Sequence, residues 1–237
     1  MNAGVANGID PRIKYPSYKS LDEFIDVQWL KSLDGYVTER IERRLAQQQD
    51  YQFYTGPFRL NDQAADRPGS KMVYLSQPTV PDNYYNLDKP ELWEPAAAAT
   101  EFSELMNFIA TLPFKATGRM LIMYDPEGRA VTAHRDHMSH DLCHEFIWFR
   151  TNLRKPFYTL NEKTGEKKYV ESYSAWFDSV NQFHGGDARD GLAFSIRVDG
   201  LFSDDFKARI PIPEYNRASM PSLWACMSAD QRAHHHR

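Results

Sequence analysis

Histidines are clustered in this chain: four lie at positions 134, 137, 140 and 144, and a fifth lies at 184. Residues 130–136 are predicted to form a strand. Because side chains alternate along a strand, His134 and Asp136 would present an imidazole and a carboxylate on the same face. A second imidazole from another strand would complete a site of two histidines and one carboxylate. Such a site binds iron and leaves coordination positions open.

The best candidate for the third ligand is His184. It follows the segment 174–179, which is predicted to be a strand, and it precedes the glycine pair 185–186. Several short antiparallel strands separate it from Asp136, enough to return it beside the first two ligands. The sequence therefore predicts a metal centre of His134, Asp136 and His184, with no catalytic residue beyond it.

A cationic side chain follows on the next predicted strand, over residues 192–199. Alternation places Ala193, Ser195, Arg197 and Asp199 on one face of it. A buried arginine is costly without a partner, and a dicarboxylate co-substrate would offer one by accepting two hydrogen bonds from the guanidinium. We therefore expect Arg197, with Ser195 beside it, to bind such a co-substrate.

Other interpretations of these residues remain open. The spacing of His134, His137, His140 and His144 also fits one face of a helix, which would favour a helical zinc site or a polar helix surface. No His-Glu-x-x-His motif is present, and the apolar run 146–149 follows at once, which favours strands. His184 as a core histidine and Arg197 as a surface ion-pair residue are the plainer alternatives.

The chain has a helical half and a β-rich half. Helical periodicity predicts one or two helices within 20–48 and another over 91–112, whereas 55–90 is rich in proline, with one strand near 72–75. Short strands are expected at 119–124, 130–136, 144–151, 156–161, 167–172, 174–179 and 192–199. The gaps are too short for crossover helices, so the sheets should be antiparallel. We predict a mainly β fold with flanking helices around a double-stranded β-helix, a jelly-roll, cupin-like core.

Composition limits the function classes. The 237 residues carry 28 Lys plus Arg against 32 Asp plus Glu, a net charge of −4, which argues against nucleic-acid binding. The 2 cysteines exclude a disulfide scaffold or a thiolate zinc ribbon. No apolar run is long enough to span a membrane and no secretory signal is visible, so a soluble cytoplasmic protein is expected. We predict one domain over 1–237: an N-terminal arm and helical support (1–116), the catalytic core (117–201) and a C-terminal extension (202–237).

The ordered set of motifs resembles that of the Fe(II)/2-oxoglutarate-dependent oxygenases. Within them, the motif sequences and their order are most similar to the aspartyl/asparaginyl β-hydroxylase branch. The segments that carry the resemblance are His134–His137, Thr151-Asn152, Trp176-Phe177-Asp178 with His184, and Val198-Asp199. The resemblance covers about residues 117–201. It implies a jelly-roll core that uses Fe(II), 2-oxoglutarate and O2, with ascorbate as reductant in vitro.

The resemblance also implies a chemistry. Decarboxylation of 2-oxoglutarate would yield succinate and an oxidant that removes hydrogen from a substrate and returns hydroxyl. Since Asp136 is present and not a small residue, hydroxylation, or a related desaturation or cyclisation, is favoured over halogenation. Tyr124, Trp148 and Trp176 are candidates to line the substrate pocket, with Phe183 beside them; core packing is the plainer role for each.

The chain departs from that branch at the co-substrate contacts. The branch usually places its arginine near position 192 or 193, whereas here it is displaced to Arg197. The branch's Arg-x-His pair is replaced by His144-Glu145-Phe146. Arg150 lies on the same alternating face as His144 and Trp148 and could supply the missing charge. His144 and Arg150 are therefore further candidates for co-substrate binding.

The function expected from the sequence is hydroxylation of an unactivated C–H bond in a small molecule, an amino acid or a natural-product intermediate. A hydroxylase of peptide or protein side chains is the near alternative. A cupin-type metal isomerase, or a non-catalytic ligand-binding jelly roll, is the alternative from another class; such cupins typically use three histidines and a glutamate. Apart from the small-molecule substrate and O2, no partner is predicted.

Overall fold

The computed structural model describes residues 18–47, 71–80, 89–136, 145–161, 164–177, 179 and 182–209. Within 20–48 the expected helical segment is divided. After strand β1 (Lys19–Ser20) come a 3-10 turn (Asp22–Phe24) and helices α1 (Val27–Ser32) and α2 (Asp34–Ala46). Asp26 caps α1 by accepting a hydrogen bond from the Trp29 amide at 2.9 Å.

The predicted helix over 91–112 is shorter than expected. Pro90–Leu92 form a 3-10 turn and Trp93–Pro95 form strand β4, before helices α3 (Ala98–Glu101) and α4 (Ser103–Ile109) begin. Pro95 explains the difference, since a proline restricts the preceding residue to extended conformations and donates no amide hydrogen bond. Strand β4 pairs instead with β3 (Ser76–Pro78).

Two antiparallel sheets make up the β-rich half, as predicted. The six-stranded sheet has the order β1-β10-β7-β12-β5-β2, and the four-stranded sheet has the order β6-β11-β8-β9. The strands of these sheets beyond β1 are β2 (Lys71–Tyr74), β5 (Phe114–Asp125), β6 (Val131–His134), β7 (Phe146–Phe149), β8 (Phe157–Leu160), β9 (Lys167–Tyr169), β10 (Ser174–Trp176), β11 (Phe183–Gly186) and β12 (Ala193–Phe202).

Strand bounds differ from the predictions in one place that matters for the site. His184 was expected at the end of the strand predicted over 174–179, but β10 ends at Trp176 and His184 lies inside a separate strand, β11. That strand contains Gly185 and Gly186, which weaken any strand pattern because glycine lacks a side chain to pack. Backbone pairing with β6 and β8 stabilises this segment as a strand, although its own sequence has a weak strand pattern.

The hydrophobic core lies between the helices and the six-stranded sheet. Phe108 of α4 packs against Phe149 of β7 with ring centroids 5.6 Å apart, and Trp29 of α1 packs edge-on to Phe108 at 5.5 Å. Burying each such side chain contributes about 1.5–3 kcal/mol. The helices therefore cover one face of the six-stranded sheet and leave the other face to the four-stranded sheet. Among the described helices, none is long and apolar enough to cross a membrane.

Candidate metal centre

A cavity opens between the two sheets. The six-stranded sheet contributes residues of β2, β5, β7 and β12, and the four-stranded sheet contributes residues of β6, β8 and β11. The side chains that line it are Lys71, Met72, Met123, Tyr124, Asp125, Val131, His134, Asp136, Trp148, Arg150, Lys155, Pro156, Phe157, Phe177, His184, Gly186, Ala193, Phe194, Ser195 and Arg197. The three predicted metal ligands thus share a single cavity.

The two histidines face each other across neighbouring strands. His134 at the end of β6 and His184 in β11 are direct partners in the antiparallel register, and their ring centroids lie 4.5 Å apart. Directly opposed residues of an antiparallel pair point to the same face of the sheet. Both imidazoles therefore point into the cavity, whatever the distance between them in sequence.

Asp136 joins them from just beyond the end of β6. Its amide donates a hydrogen bond to the Ser179 carbonyl at 2.8 Å, which keeps the chain beside β11. Its Oδ1 lies 3.5 Å from Nε2 of His184 and 3.8 Å from Nε2 of His134. One donor atom from each of the three residues lies within 4.8 Å of the others.

Backbone contacts set the orientation of both rings. Nδ1 of His134 lies 2.8 Å from the Thr132 carbonyl, and Nδ1 of His184 lies 3.2 Å from the Gln182 carbonyl. Because a carbonyl only accepts, Nδ1 carries the hydrogen in each ring and Nε2 keeps its lone pair for a metal. Two imidazole nitrogens and one carboxylate oxygen form a donor set that fits Fe(II).

Electrostatics keep Asp136 in its ligand form. Burial alone would raise the pKa of this carboxyl, but it is held well below its ordinary value by His184, whose imidazole donates a hydrogen bond and carries charge when it is protonated, by Arg197, and by His134 when that ring is protonated. The group is therefore a carboxylate at neutral pH, as a metal ligand must be.

Arg197 is not the free cation that the sequence suggested. Its Nη1 donates to Oδ2 of Asp136 at 2.6 Å, and its Nε and Nη2 lie 3.0 and 2.9 Å from Oδ1 of Asp199. The guanidinium also lies 4.0 Å over the Phe146 ring. Two protein carboxylates thus already partner this guanidinium, and its role toward a co-substrate stays a prediction. Ser195 lies on the same strand and lines the cavity.

Arg150 has backbone partners. Its guanidinium donates to the carbonyls of Lys155, at 2.7 Å, Val170 and Ser172. Burial lowers its pKa to about 10, so it stays protonated at neutral pH. The carbonyls hold this side chain in the cavity wall, where its role toward a co-substrate stays a prediction.

Several predicted residues lie elsewhere. Tyr124 and Trp148 line the cavity, but Trp176 belongs to the core, and its neighbour Phe177 lines the cavity instead. Phe183 points away, with the Arg135 guanidinium 4.7 Å over its ring. His134 lies on a strand, which removes the first member of the helical zinc interpretation. His137, His140, His144 and Asp178 lie outside the described residues.

Sequence reasoning missed Lys155, a half-buried residue of the loop between β7 and β8. Its Nζ donates to the Arg129 carbonyl at 2.5 Å, and the described residues offer it no ion pair. Burial lowers its pKa, against the attraction of Asp125 and with the repulsion of Arg189. Nothing in the periodicity of a loop could have revealed that it lines the same cavity as the metal ligands.

The motif Thr151-Asn152 has a structural role in this chain. Thr151 Oγ1, Asn152 Nδ2 and Arg154 Nη2 donate to the Asp34 carboxylate at 2.5, 2.6 and 2.9 Å. Asp34 is the first residue of α2. The three donors therefore fasten the loop that carries Lys155 to the start of this helix.

Comparison with solved structures gives similarities at low sequence identity. A Pseudomonas putida prolyl-4-hydroxylase is 13% identical over 77% of this chain and 90% of its own, with a TM-score of 0.41. A Burkholderia pseudomallei oxidoreductase of the 2OG-Fe(II) oxygenase family is 9% identical over 73% and 89%, with a TM-score of 0.36. The viral collagen prolyl hydroxylase of Paramecium bursaria Chlorella virus-1 is 9% identical over 77% and 93%, with a TM-score of 0.35. No protein-family model and no curated protein matches the sequence, and kinship with the aspartyl/asparaginyl β-hydroxylase branch stays a prediction.

Proposed function

We propose that this chain is an Fe(II)- and 2-oxoglutarate-dependent dioxygenase that hydroxylates a C–H bond of a small molecule. The observation that carries the proposal is the convergence of His134, Asp136 and His184, with donor atoms within 4.8 Å, on one cavity. When bound, iron would supply the chemistry that divides O2 between succinate and hydroxylated product, with CO2 released from 2-oxoglutarate. The protein's residues bind, orient and shield the reactants.

Lys155 is our candidate for the distal carboxylate of 2-oxoglutarate. A half-buried ammonium with no ion pair among the described residues is destabilised, although Asp125 attracts it, and a bound carboxylate would reduce that cost. Its Cε would lie 3.4 Å from a Cβ placed on Gly186, two residues from His184 on the same face of β11. A strand advances about 3.3 Å per residue, so the lysine stem lies about 7 Å along the strand from the metal ligand. A five-carbon diacid can span that distance.

The remaining wall is largely apolar. Met72, Met123, Tyr124, Phe157 and Phe177 surround a cavity of about 150 Å³ between the sheets. Apolar side chains exclude water from a reactive centre and bind the hydrocarbon part of a substrate. These apolar side chains support a substrate with a hydrocarbon part, and we propose an amino acid or a natural-product intermediate ahead of a peptide.

The experiment is anaerobic loading with Fe(II), followed by 2-oxoglutarate, ascorbate, O2 and a panel of amino acids and short peptides. We expect succinate formation and O2 uptake stimulated by one class of small molecule. The variants His134→Ala, Asp136→Ala and His184→Ala should lose iron and turnover, whereas the exposed control Asp205→Ala should keep both. Absence of 2-oxoglutarate turnover, together with unchanged iron binding in these variants, would refute the proposal. Turnover stimulated only by peptides would refute the small-molecule substrate and favour a peptide or protein side-chain hydroxylase.

A further inference from the structure

We infer that Arg197 restricts Asp136 to binding a metal through one oxygen only. This positioning role rests on the proposed metal centre. Nη1 of Arg197 donates to Oδ2 of Asp136 at 2.6 Å, whereas Oδ1 is the oxygen directed at the histidines, 3.5 and 3.8 Å from their Nε2 atoms. The two carboxylate oxygens thus have separate partners: a guanidinium for one and the ligand cluster for the other.

Arg197 can do this because two other residues, Asp199 and Phe146, hold its guanidinium. Asp199 accepts from its Nε at 3.0 Å and lies 2.9 Å from its Nη2, and the Phe146 ring lies against its planar face at 4.0 Å. Asp199 is in turn held by Arg119, whose Nε donates to Oδ2 at 3.0 Å. Charges alternate along this chain from Arg119 to Asp136, so each buried ion has an opposite neighbour.

The consequence concerns how many metal positions remain open. A carboxylate that binds through both oxygens occupies two positions of a six-coordinate ion, and one that binds through a single oxygen occupies one. A six-coordinate ion held by two imidazoles and one carboxylate oxygen would keep three positions open for the co-substrates. By engaging Oδ2 in the cavity wall, Arg197 would preserve the third.

The competing role is the one that the sequence first suggested, in which Arg197 leaves Asp136 and binds the distal carboxylate of the co-substrate. The two roles affect different ligands. A positioning residue changes the metal centre before any acid is added, and it affects every 2-oxo acid equally. A co-substrate ligand affects only acids that carry the second carboxylate.

The test compares Arg197→Met and Arg197→Lys with wild type and with the exposed control Arg43→Met. Cobalt(II) replaces iron as a spectroscopic probe, and 2-oxoglutarate is titrated in parallel with 2-oxobutyrate, which lacks the distal carboxylate. We expect Arg197→Met to change the cobalt absorption spectrum without any acid and to weaken both acids by the same factor, 10-fold or more. Arg197→Lys should partly restore both the wild-type cobalt spectrum and the affinity for the two acids, since an ammonium can still bind Oδ2 of Asp136.

An unchanged cobalt spectrum, or a loss confined to 2-oxoglutarate, would overturn the inference. If Arg197→Met fails to fold, Arg197→Lys and Asp199→Asn provide the same comparison. The lysine keeps a positive charge at position 197, and Asp199→Asn keeps Arg197 but weakens the contact that positions it. Each therefore weakens the hydrogen bond to Asp136 without leaving the site uncharged. Failure of wild type to bind cobalt would refute the proposed metal centre itself, so the two failures are distinguishable.

Discussion

The cationic side chains that line the cavity differ in what already stabilises their charge. Arg197 has two carboxylates and Arg150 has backbone carbonyls, whereas Lys155 has one carbonyl and no ion pair among the described residues. Among these three, an anionic ligand would displace the fewest contacts by binding Lys155, which donates a single hydrogen bond and has no ion pair to break among the described residues. This comparison favours a residue of no recognisable motif over the arginine at the expected position.

The role of Lys155 can be measured through its selectivity for diacids. We expect wild type to bind 2-oxoglutarate at least 10-fold more tightly than 2-oxobutyrate, and Lys155→Met to lose that preference, since a charge-assisted contact contributes about 1.5–3 kcal/mol. Metal affinity should not change. Calorimetric titration of the metal-loaded protein measures both acids, with Lys115→Met as the exposed lysine control.

A second variant moves the charge without removing it. A Cβ on Gly186 would lie 3.1 Å from the Pro156 carbonyl and 3.4 Å from Lys155 Cε, so Gly186→Ala should displace the lysine stem. We expect it to weaken 2-oxoglutarate and leave 2-oxobutyrate nearly unchanged. If both Lys155→Met and Gly186→Ala retain full preference for the diacid, another cation binds the distal carboxylate.

At the scale of elements, helix α2 stabilises the site loop through Asp34. Asp34→Ala would leave the buried Thr151 hydroxyl without its acceptor and release Asn152 and Arg154. An unsatisfied buried group costs about 1–3 kcal/mol, which corresponds to a lower Tm by roughly 2–4 °C per kcal/mol in a chain of this size. Thermal unfolding measures it, with the exposed Glu42→Ala on the same helix as control. A Tm equal to that of the control would mean that the loop is held by its other contacts.

Asp187 joins the edge strand β9 to the end of β11. It accepts from Lys167 Nζ at 2.6 Å and from the Tyr169 hydroxyl at 2.7 Å, and these two hydrogen bonds lower its pKa. A carboxyl whose pKa is lowered by folding stabilises the native state above its unfolded pKa, about 3.9, and loses that contribution as the pH falls through the folded value.

The free energy of unfolding should show this pH dependence. Asp187→Asn should be less stable than wild type by up to about 1 kcal/mol at neutral pH, as exposed pairs allow, and the difference should shrink as the pH falls below about 4 and vanish below the lowered folded pKa of Asp187. Urea unfolding across pH measures it. Glu166→Gln is the control, since the Glu166 carboxylate has no ion pair among the described residues. A difference that persists in acid would show a cause other than this carboxylate's charge.

The elements differ in how well their sequences predict them. Phe146–Phe149 is a buried apolar run and was predicted as a strand. Ala193, Ser195 and Arg197, which alternation puts on one face of β12, all line the cavity, and Phe194 lines it with them. By contrast, β11 contains two glycines, and no local sequence pattern predicts it as a strand. Its strand conformation depends on pairing with β6 and β8. The partners of Arg197 were equally hidden, because Asp136 and Asp199 reach it only after the sheets face each other.

At the scale of the molecule, the cavity lies where two sheets with different support meet. The helices and the hydrophobic core stabilise the six-stranded sheet, whereas the four-stranded sheet carries His134 and His184, with Asp136 just beyond β6, and ends in the exposed strand β9. Asp136 connects them through its bond to Arg197 of β12. A metal ion bound by His134, Asp136 and His184 would therefore strengthen the less supported sheet and its link to the other.

Metal binding should accordingly stabilise the native state, and most strongly near the ligands. A ligand at 100 times its Kd contributes about 2.7 kcal/mol, which predicts a rise in Tm of roughly 5–11 °C. Hydrogen exchange should slow in β6 and β11, where the ligands lie, more than in the distant strands β3 and β4. Thermal unfolding and exchange of wild type are compared with and without Mn(II), with chelator reversing both. Asp136→Ala should abolish the shift, and an equal shift in that variant would mean that the ion binds elsewhere.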